Sequence, residues 1–116
     1  MSEVDSTSYI SVTPRVIFEF GGVGPEALDH GTPVIVRTRR STLFIQVSFS
    51  ADPGNYEWGI AQSNDGINYT NLEASITGSG PNPVLKTYRN FTGAFIQPFQ
   101  TSKDNDVVMT LTARSV

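Results

Sequence analysis

The chain has one histidine among its 116 residues, and this histidine follows an acid in the segment Leu28-Asp29-His30-Gly31. A histidine that is oriented by a carboxylate can act as a general base for a nucleophilic serine. The sequence contains no Gly-x-Ser-x-Gly segment that would present such a serine. We therefore interpret His30 as a solvated loop residue, and we expect no catalytic residues and no enzymatic activity.

Oxygen ligands for a hard cation are closely spaced in Asn64-Asp65-Gly66-Ile67-Asn68. The segment lacks the alternating acids and the distal glutamate of a calcium loop, and turn formation accounts for it without an ion. A transition metal is disfavoured by one histidine and no cysteine. Glu57 lies between Tyr56 and Trp58, but a glycosidase needs a second carboxylate nearby, and a charged residue on the outward face of a strand is common. We expect no metal and no cofactor.

The charge balance excludes several partners. The net charge is −3 and only 16% of residues are charged, so nothing predicts binding to nucleic acid. No segment approaches the roughly 20 apolar residues of a membrane helix, and residues 1–8 do not resemble a signal peptide, so we expect no membrane partner. The densest basic cluster is Arg37, Arg39 and Arg40, which suits an acidic patch on a partner protein.

Apolar and polar residues alternate along most of the chain, as in half-buried β-strands. Leu43, Ile45 and Val47 give the clearest example. Short strands follow one another at the spacing of a sandwich or barrel, and no helical window competes. We predict an all-β fold: a single antiparallel β-sandwich or jelly-roll-like domain of about eight strands over residues 9–116, preceded by a flexible N-terminal arm, residues 1–8.

Prolines modify two of the predicted strands. Pro14 favours an edge position or a bulge for the strand in which Val16, Phe18 and Phe20 are expected to face the core. Pro98 similarly argues against a central strand over 94–99. Residues 100–105 are expected to form a polar loop.

A hairpin covers residues 56–72. Tyr56, Trp58 and Ile60 share one strand face, a tight turn follows at Asn64-Asp65-Gly66, and a second strand begins near Tyr69. The alternation with small residues predicts that Trp58 packs between the sheets. The spacing W-x-x-x-x-S-x-D-G-x-x-Y-x-x-L in this segment resembles a pattern of small β-sandwich modules in bacteriophage virions and in some carbohydrate-binding β-modules.

This resemblance implies a non-enzymatic virion structural protein, foremost a capsid decoration (cement) protein on the capsid surface. Its partners would be the major capsid protein and copies of itself, as a homo-oligomer and often a trimer, with many modest contacts adding up over the lattice. Residues 1–12 are the candidate capsid-gripping segment. The predicted partner-binding residues are Val4, Tyr9, Ile10, Arg37, Arg39 and Arg40.

An alternative function stays open at this point: a carbohydrate-binding module or the receptor-binding part of a tail fibre. Sugar rings would then stack on exposed aromatic side chains, for which Tyr56, Tyr69 and Tyr88 are the candidates. The same aromatic rings could instead fill the core.

Overall fold

The computed structural model describes residues 9–36 and 42–116, and these residues form a sandwich of two packed β-sheets. The predicted all-β sandwich is thereby confirmed. The described residues include one 3-10 turn, Gly24–Ala27, which has Pro25 at its second position, where the fixed φ of proline suits the first turn of a helix. The strands are β1 (Tyr9–Ile10), β2 (Arg15–Phe20), β3 (Asp29–His30), β4 (Val34–Val36), β5 (Leu43–Phe49), β6 (Asn55–Ser63), β7 (Thr70–Ser79), β8 (Val84–Tyr88), β9 (Phe95–Lys103) and β10 (Met109–Ser115).

The larger sheet has the strand order β1-β4-β9-β6-β7, with β3 also pairing with β9. The smaller sheet has the order β2-β10-β5-β8. The β1–β4 pair is parallel, and the other described strand pairs are antiparallel. The outermost strands of the two orders are therefore β1 and β7 in one sheet and β2 and β8 in the other.

The core lies between the sheets and follows the predicted alternation. Leu43, Ile45 and Val47 of β5 are completely buried, as are Trp58 and Ile60 of β6. Full burial of an aliphatic side chain of this size contributes about 1.5–3 kcal/mol. The prediction that Trp58 packs between the sheets is confirmed.

β2 is an edge strand with a bulge, as the presence of Pro14 predicted. The prediction that Val16 faces the core is wrong. Phe18 lies opposite Leu111 and Val16 opposite Thr112, so Ile17 is an extra residue in β2. Because a bulge reverses the alternation locally, Ile17 is buried and Val16 is 36% exposed.

The predictions for residues 94–105 are largely wrong. Instead of a non-central strand followed by a loop, β9 runs from Phe95 to Lys103 in the interior of the larger sheet. The direction in which Pro98 faces explains why a central strand tolerates it. Its carbonyl oxygen accepts a hydrogen bond from the Gly31 N–H, 2.7 Å away. In an antiparallel strand the N–H and C=O of one residue point to the same side. The missing donor of Pro98 therefore faces the irregular segment after β3 and leaves the ladder with β6 intact.

Two polar side chains of β9 point into the core. Gln100 is completely buried, and its Nε2 donates to the carbonyl oxygens of Gly21, at 2.9 Å, and Ala27, at 2.6 Å. Lys103 is 1% exposed, and its Nζ donates to Gln100 Oε1 at 2.9 Å. The chain of hydrogen bonds holds the segment around the 3-10 turn against β9.

Burial lowers the pKa of Lys103 below its ordinary value of 10.5, and the nearby carboxylate of Asp106 partly opposes this shift. Between the lowered value and 10.5, the folded protein has released a proton that the unfolded chain still holds. We therefore expect the free energy of unfolding to rise with pH below about pH 10. Above pH 10 the trend reverses, since burial raises the pKa of Tyr56 and Tyr88 above 10.0, and these groups ionise first in the unfolded chain.

Urea unfolding between about pH 8 and about pH 10 measures this slope. The variant K103M should lose the rise, whereas K86M, which removes the more exposed lysine paired with Glu73, should retain it. An unchanged slope in K103M would show that Lys103 does not titrate as its burial requires.

Candidate partner-binding site

The predicted partner-binding residues fall in two groups. Val4, Arg37, Arg39 and Arg40 lie outside the described residues. Tyr9 and Ile10 form β1, where their side chains point in opposite directions. Ile10 is completely buried in the core and anchors the strand, whereas Tyr9 is 39% exposed and lies under the Arg15 guanidinium, 5.7 Å from its ring centroid.

Tyr9 begins a row of apolar side chains on the outer face of the larger sheet. It lies opposite Ile35 of β4, which in turn lies opposite Phe95 of β9. The strand neighbours of these residues point into the core: Ile10, Val34 and Ile96 are buried. Ile35 and Phe95 are half-buried and face outwards.

Phe99 extends this row along β9, on the same face as Phe95. It lies opposite both His30 and Gly59, and the rings of His30 and Phe99 stack with their centroids 5.7 Å apart. His30 is exposed, but it lies in β3, so its interpretation as a loop residue is wrong. We call Tyr9, Ile35, Phe95 and Phe99 the outer strip.

Sequence patterns indicated Tyr9 but none of the other members of the outer strip. A signal was present in β9, where Phe95 and Phe99 alternate with the equally apolar Ile96 and Pro98. A strand that is apolar on both faces is expected to be covered on both faces. In the described residues the inner face of β9 packs in the sandwich and the outer face does not.

The hairpin turn is organised by Asp65. Its carboxylate accepts hydrogen bonds from the backbone N–H groups of Asn68 and Ile67, each at 2.8 Å, and from the Ser63 hydroxyl at 2.9 Å. These bonds, led by that from the Asn68 backbone, hold the pKa of Asp65 well below its usual range. The connection between β6 and β7 covers residues 64–69, so it is longer than the tight turn predicted.

A polar cleft of about 300 Å³ lies beside this turn. Gln62, Asn64, Asn68 and Thr92 contribute amide and hydroxyl groups to its lining. Asp65 also lines the cleft, but its oxygens already accept the hydrogen bonds of the turn, including one from Asn68 Nδ2 at 2.8 Å. Neutral hydrogen-bonding groups are therefore what the cleft offers to a ligand.

The three candidate sugar-stacking tyrosines do not lie on one exposed surface. Tyr56 is 7% exposed, and its ring packs on Phe49, with centroids 4.8 Å apart, and over Gly78. Tyr69 lies at the opposite end of the hairpin, and its hydroxyl is buried without a hydrogen-bond partner among the described residues. Tyr88 lies on the other sheet and is half-buried.

Tyr88 belongs to a polar contact between the sheets. Its hydroxyl donates to Glu73 Oε1 at 2.9 Å, and Lys86 Nζ lies 3.2 Å from Glu73 Oε2. Burial, followed by the hydrogen bond to Glu73, raises the pKa of Tyr88. The contact joins edge strand β7 to edge strand β8 and leaves the Tyr88 hydroxyl engaged within the fold.

Residues 9–36 and 42–116 hold no group of three or more histidine, aspartate or glutamate side chains placed to bind a metal ion. Over the same ranges there is no helix with the length and apolarity needed to cross a membrane.

No protein family model matches the chain, and none of the curated proteins matches it either. The fold places the chain in the broad class of two-sheet β-sandwich domains. Its function is accordingly inferred from the described surface, where the outer strip and the polar cleft are candidate binding features.

Proposed function

We propose that this protein is a non-enzymatic structural protein of a bacteriophage virion, a capsid decoration (cement) protein that binds the major capsid protein at the capsid surface. The observation that carries the proposal is the position of the outer strip. Tyr9 directly follows the arm at residues 1–8, and β4, which contributes Ile35, ends at Val36 next to Arg37. In the sequence, the strands of the outer strip are thus contiguous with both segments that hold the other predicted contacts.

Apolar side chains on a sheet surface suit a protein partner, because exposed apolar patches commonly mark interaction sites. Aromatic anchors with arginines nearby are the residue types that contribute most to protein–protein affinity. Each copy of a decoration protein can bind through a modest interface, since many copies act together on a regular lattice. The polar, charge-poor remainder of the chain is compatible with a particle surface.

Quantitative mass spectrometry of virus particles purified from the source tests the location. A decoration role requires a copy number equal to that of the major capsid protein or a simple fraction of it. A handful of copies would indicate the tail or its fibres, and absence from particles would contradict the proposal.

Substitution in the outer strip tests the binding surface. We expect F95Q to weaken binding to undecorated particles at least about tenfold, which corresponds to about 1.4 kcal/mol, because it removes an aromatic anchor. The matched control is L85Q on the smaller sheet, since Leu85 is 72% exposed and should not be needed. Circular dichroism verifies that both variants fold. Equal binding of F95Q and the unmodified protein would exclude the outer strip.

The polar cleft favours one second candidate, a carbohydrate-binding module or the receptor-binding part of a tail fibre. Gln62, Asn64 and Thr92 offer the amide and hydroxyl groups that hydrogen-bond sugar hydroxyls. Glycan-array binding that is lost in Q62A but kept in F95Q would support this function over decoration. Because Trp58 is buried, its fluorescence should be blue-shifted and should not respond to added sugar.

A further inference from the structure

The edge strands of the two sheets differ in how they are protected from pairing with another chain. Exposed edges are usually short or carry proline and charged residues. β1 has two residues, β2 carries Arg15 and Glu19, and β8 follows Pro83 and carries Lys86. β7 has ten residues, pairs with β6 alone among the described strands, and contains one charged residue, Glu73.

Only part of β7 is regular. Trp58 pairs with Ile76 and Ile60 with Glu73, so β7 has an extra residue between them and a second one further towards Thr70. From Ile76 to Ser79 the pairing with β6 is continuous. Glu73 lies in the bulged half and is engaged with Lys86 and Tyr88, which leaves the regular half uncharged.

The backbone groups of this regular half point in known directions. Gly80 N–H donates to Gly54 O at 3.1 Å, across the pair of β6 and β7. Since the direction alternates along an antiparallel strand, Gly78 and Ile76 also face β6. Thr77 and Ser79 therefore direct their N–H and C=O groups towards the outer edge of the sheet, and both side chains are exposed.

We infer that β7 pairs with β7 of a second copy of this chain, antiparallel and about a two-fold axis at Thr77. Thr77 then lies opposite Thr77 of the second copy, and Ser79 lies opposite its Ser75. The two Thr77 residues then exchange two backbone hydrogen bonds, and the pairing joins the two larger sheets into one.

The free edge of β7 is complementary to itself, which favours a second copy of this chain as its partner. A two-fold axis at Thr77 brings this residue against its own copy and pairs the residues on either side of it with each other, so a charge at the axis would repel itself. The segment Ser75-Ile76-Thr77-Gly78-Ser79 carries no charge, and Thr–Thr and Thr–Ser pairs are favourable across strands. The pairing produces a dimer, which differs from the trimer that the resemblance to virion proteins implies.

A single engineered cysteine tests this geometry, because the chain has none of its own. Residues in a hydrogen-bonded antiparallel pair have Cα atoms about 5.5 Å apart, within the range that a disulfide spans. T77C should therefore form disulfide-linked dimers as its main product under mild oxidation. The matched control T87C, at an exposed threonine on β8, should stay largely monomeric.

Sedimentation equilibrium of the isolated protein supplies the second measurement. The unmodified protein should associate into dimers, and T77K should weaken this association at least about tenfold, because it places two like charges across the axis. A monomer at every concentration, a trimer that T77K leaves intact, or equal cross-linking of T77C and T87C would each overturn the inference. Neither measurement involves capsids, so the result does not depend on the proposed function.

Discussion

Replacement of Trp58 by alanine is expected to lower the free energy of unfolding by about 3–5 kcal/mol. Trp58 is completely buried at the centre of β6, where it pairs with Ile76 on one side and Gln100 on the other. Removing the indole leaves a cavity that the two sheets can close only in part. Because domains of this size are stable by about 5–15 kcal/mol, W58A should lose a large share of the stability of the fold.

The variant W58F separates the effect of the cavity on stability from the effect of the buried indole N–H group. Trp58 Nε1–H is buried and has no hydrogen-bond partner among the described residues, a state that costs free energy in the folded protein. Phenylalanine removes this donor while keeping most of the volume, so W58F should cost less than half as much as W58A. Urea unfolding followed by far-UV circular dichroism measures both, since Trp58 is the one tryptophan and its fluorescence is lost. Equal losses in the two variants would contradict this account.

Gly59→Ala is expected to have the second large effect, about 3 kcal/mol, towards the upper end of the usual cost of overpacking. A Cβ atom at Gly59 would lie 2.7 Å from the carbonyl oxygen of Glu73 and 2.8 Å from that of Ala74, and it would also clash with the Phe99 ring. The two carbonyl groups belong to the bulged part of β7, so relief requires the backbone to move. A lower urea midpoint with an unchanged slope would be the expected observation.

Gly21→Ala is the matched control for this substitution. A Cβ atom at Gly21 would meet no atom of the described residues within 4 Å, so G21A should change stability by less than about 0.5 kcal/mol. If G59A were as stable as G21A, β6 and β7 would have to lie further apart at the bulge than the structure places them.

The two proline predictions show which features of a strand a local sequence pattern can predict. Pro14 correctly indicated an edge strand with a bulge, since β2 is outermost in its sheet and has an extra residue at Ile17. The prediction from Pro98 was wrong, although its chemistry is the same. The two prolines differ in what lies beside them. The side of β9 that Pro98 leaves without a donor faces the irregular segment at Gly31, and this arrangement follows only from the sheet order.

The candidate site was predictable only in part. Tyr9 was named for its position beside the arm, but its partners Ile35 and Phe95 come from strands far away in the sequence and meet it through register. The buried state of Ile10, its neighbour, likewise depends on which face of β1 meets the core. Lys103 and Gln100 were assigned to a polar loop because their side chains are polar, whereas each is buried with hydrogen-bond partners from the chain.

By itself, the sequence determined the all-β class, the burial of Trp58 and the position of the β6–β7 hairpin, because period-two alternation and turn residues act over a few residues. The tertiary structure alone decided the sheet order, the bulge at Ile17, the central position of β9 and the assembly of the outer strip. These features depend on contacts between strands that are distant in the chain. Pairing and register between such strands are set by the packing of the whole core, which no short segment encodes.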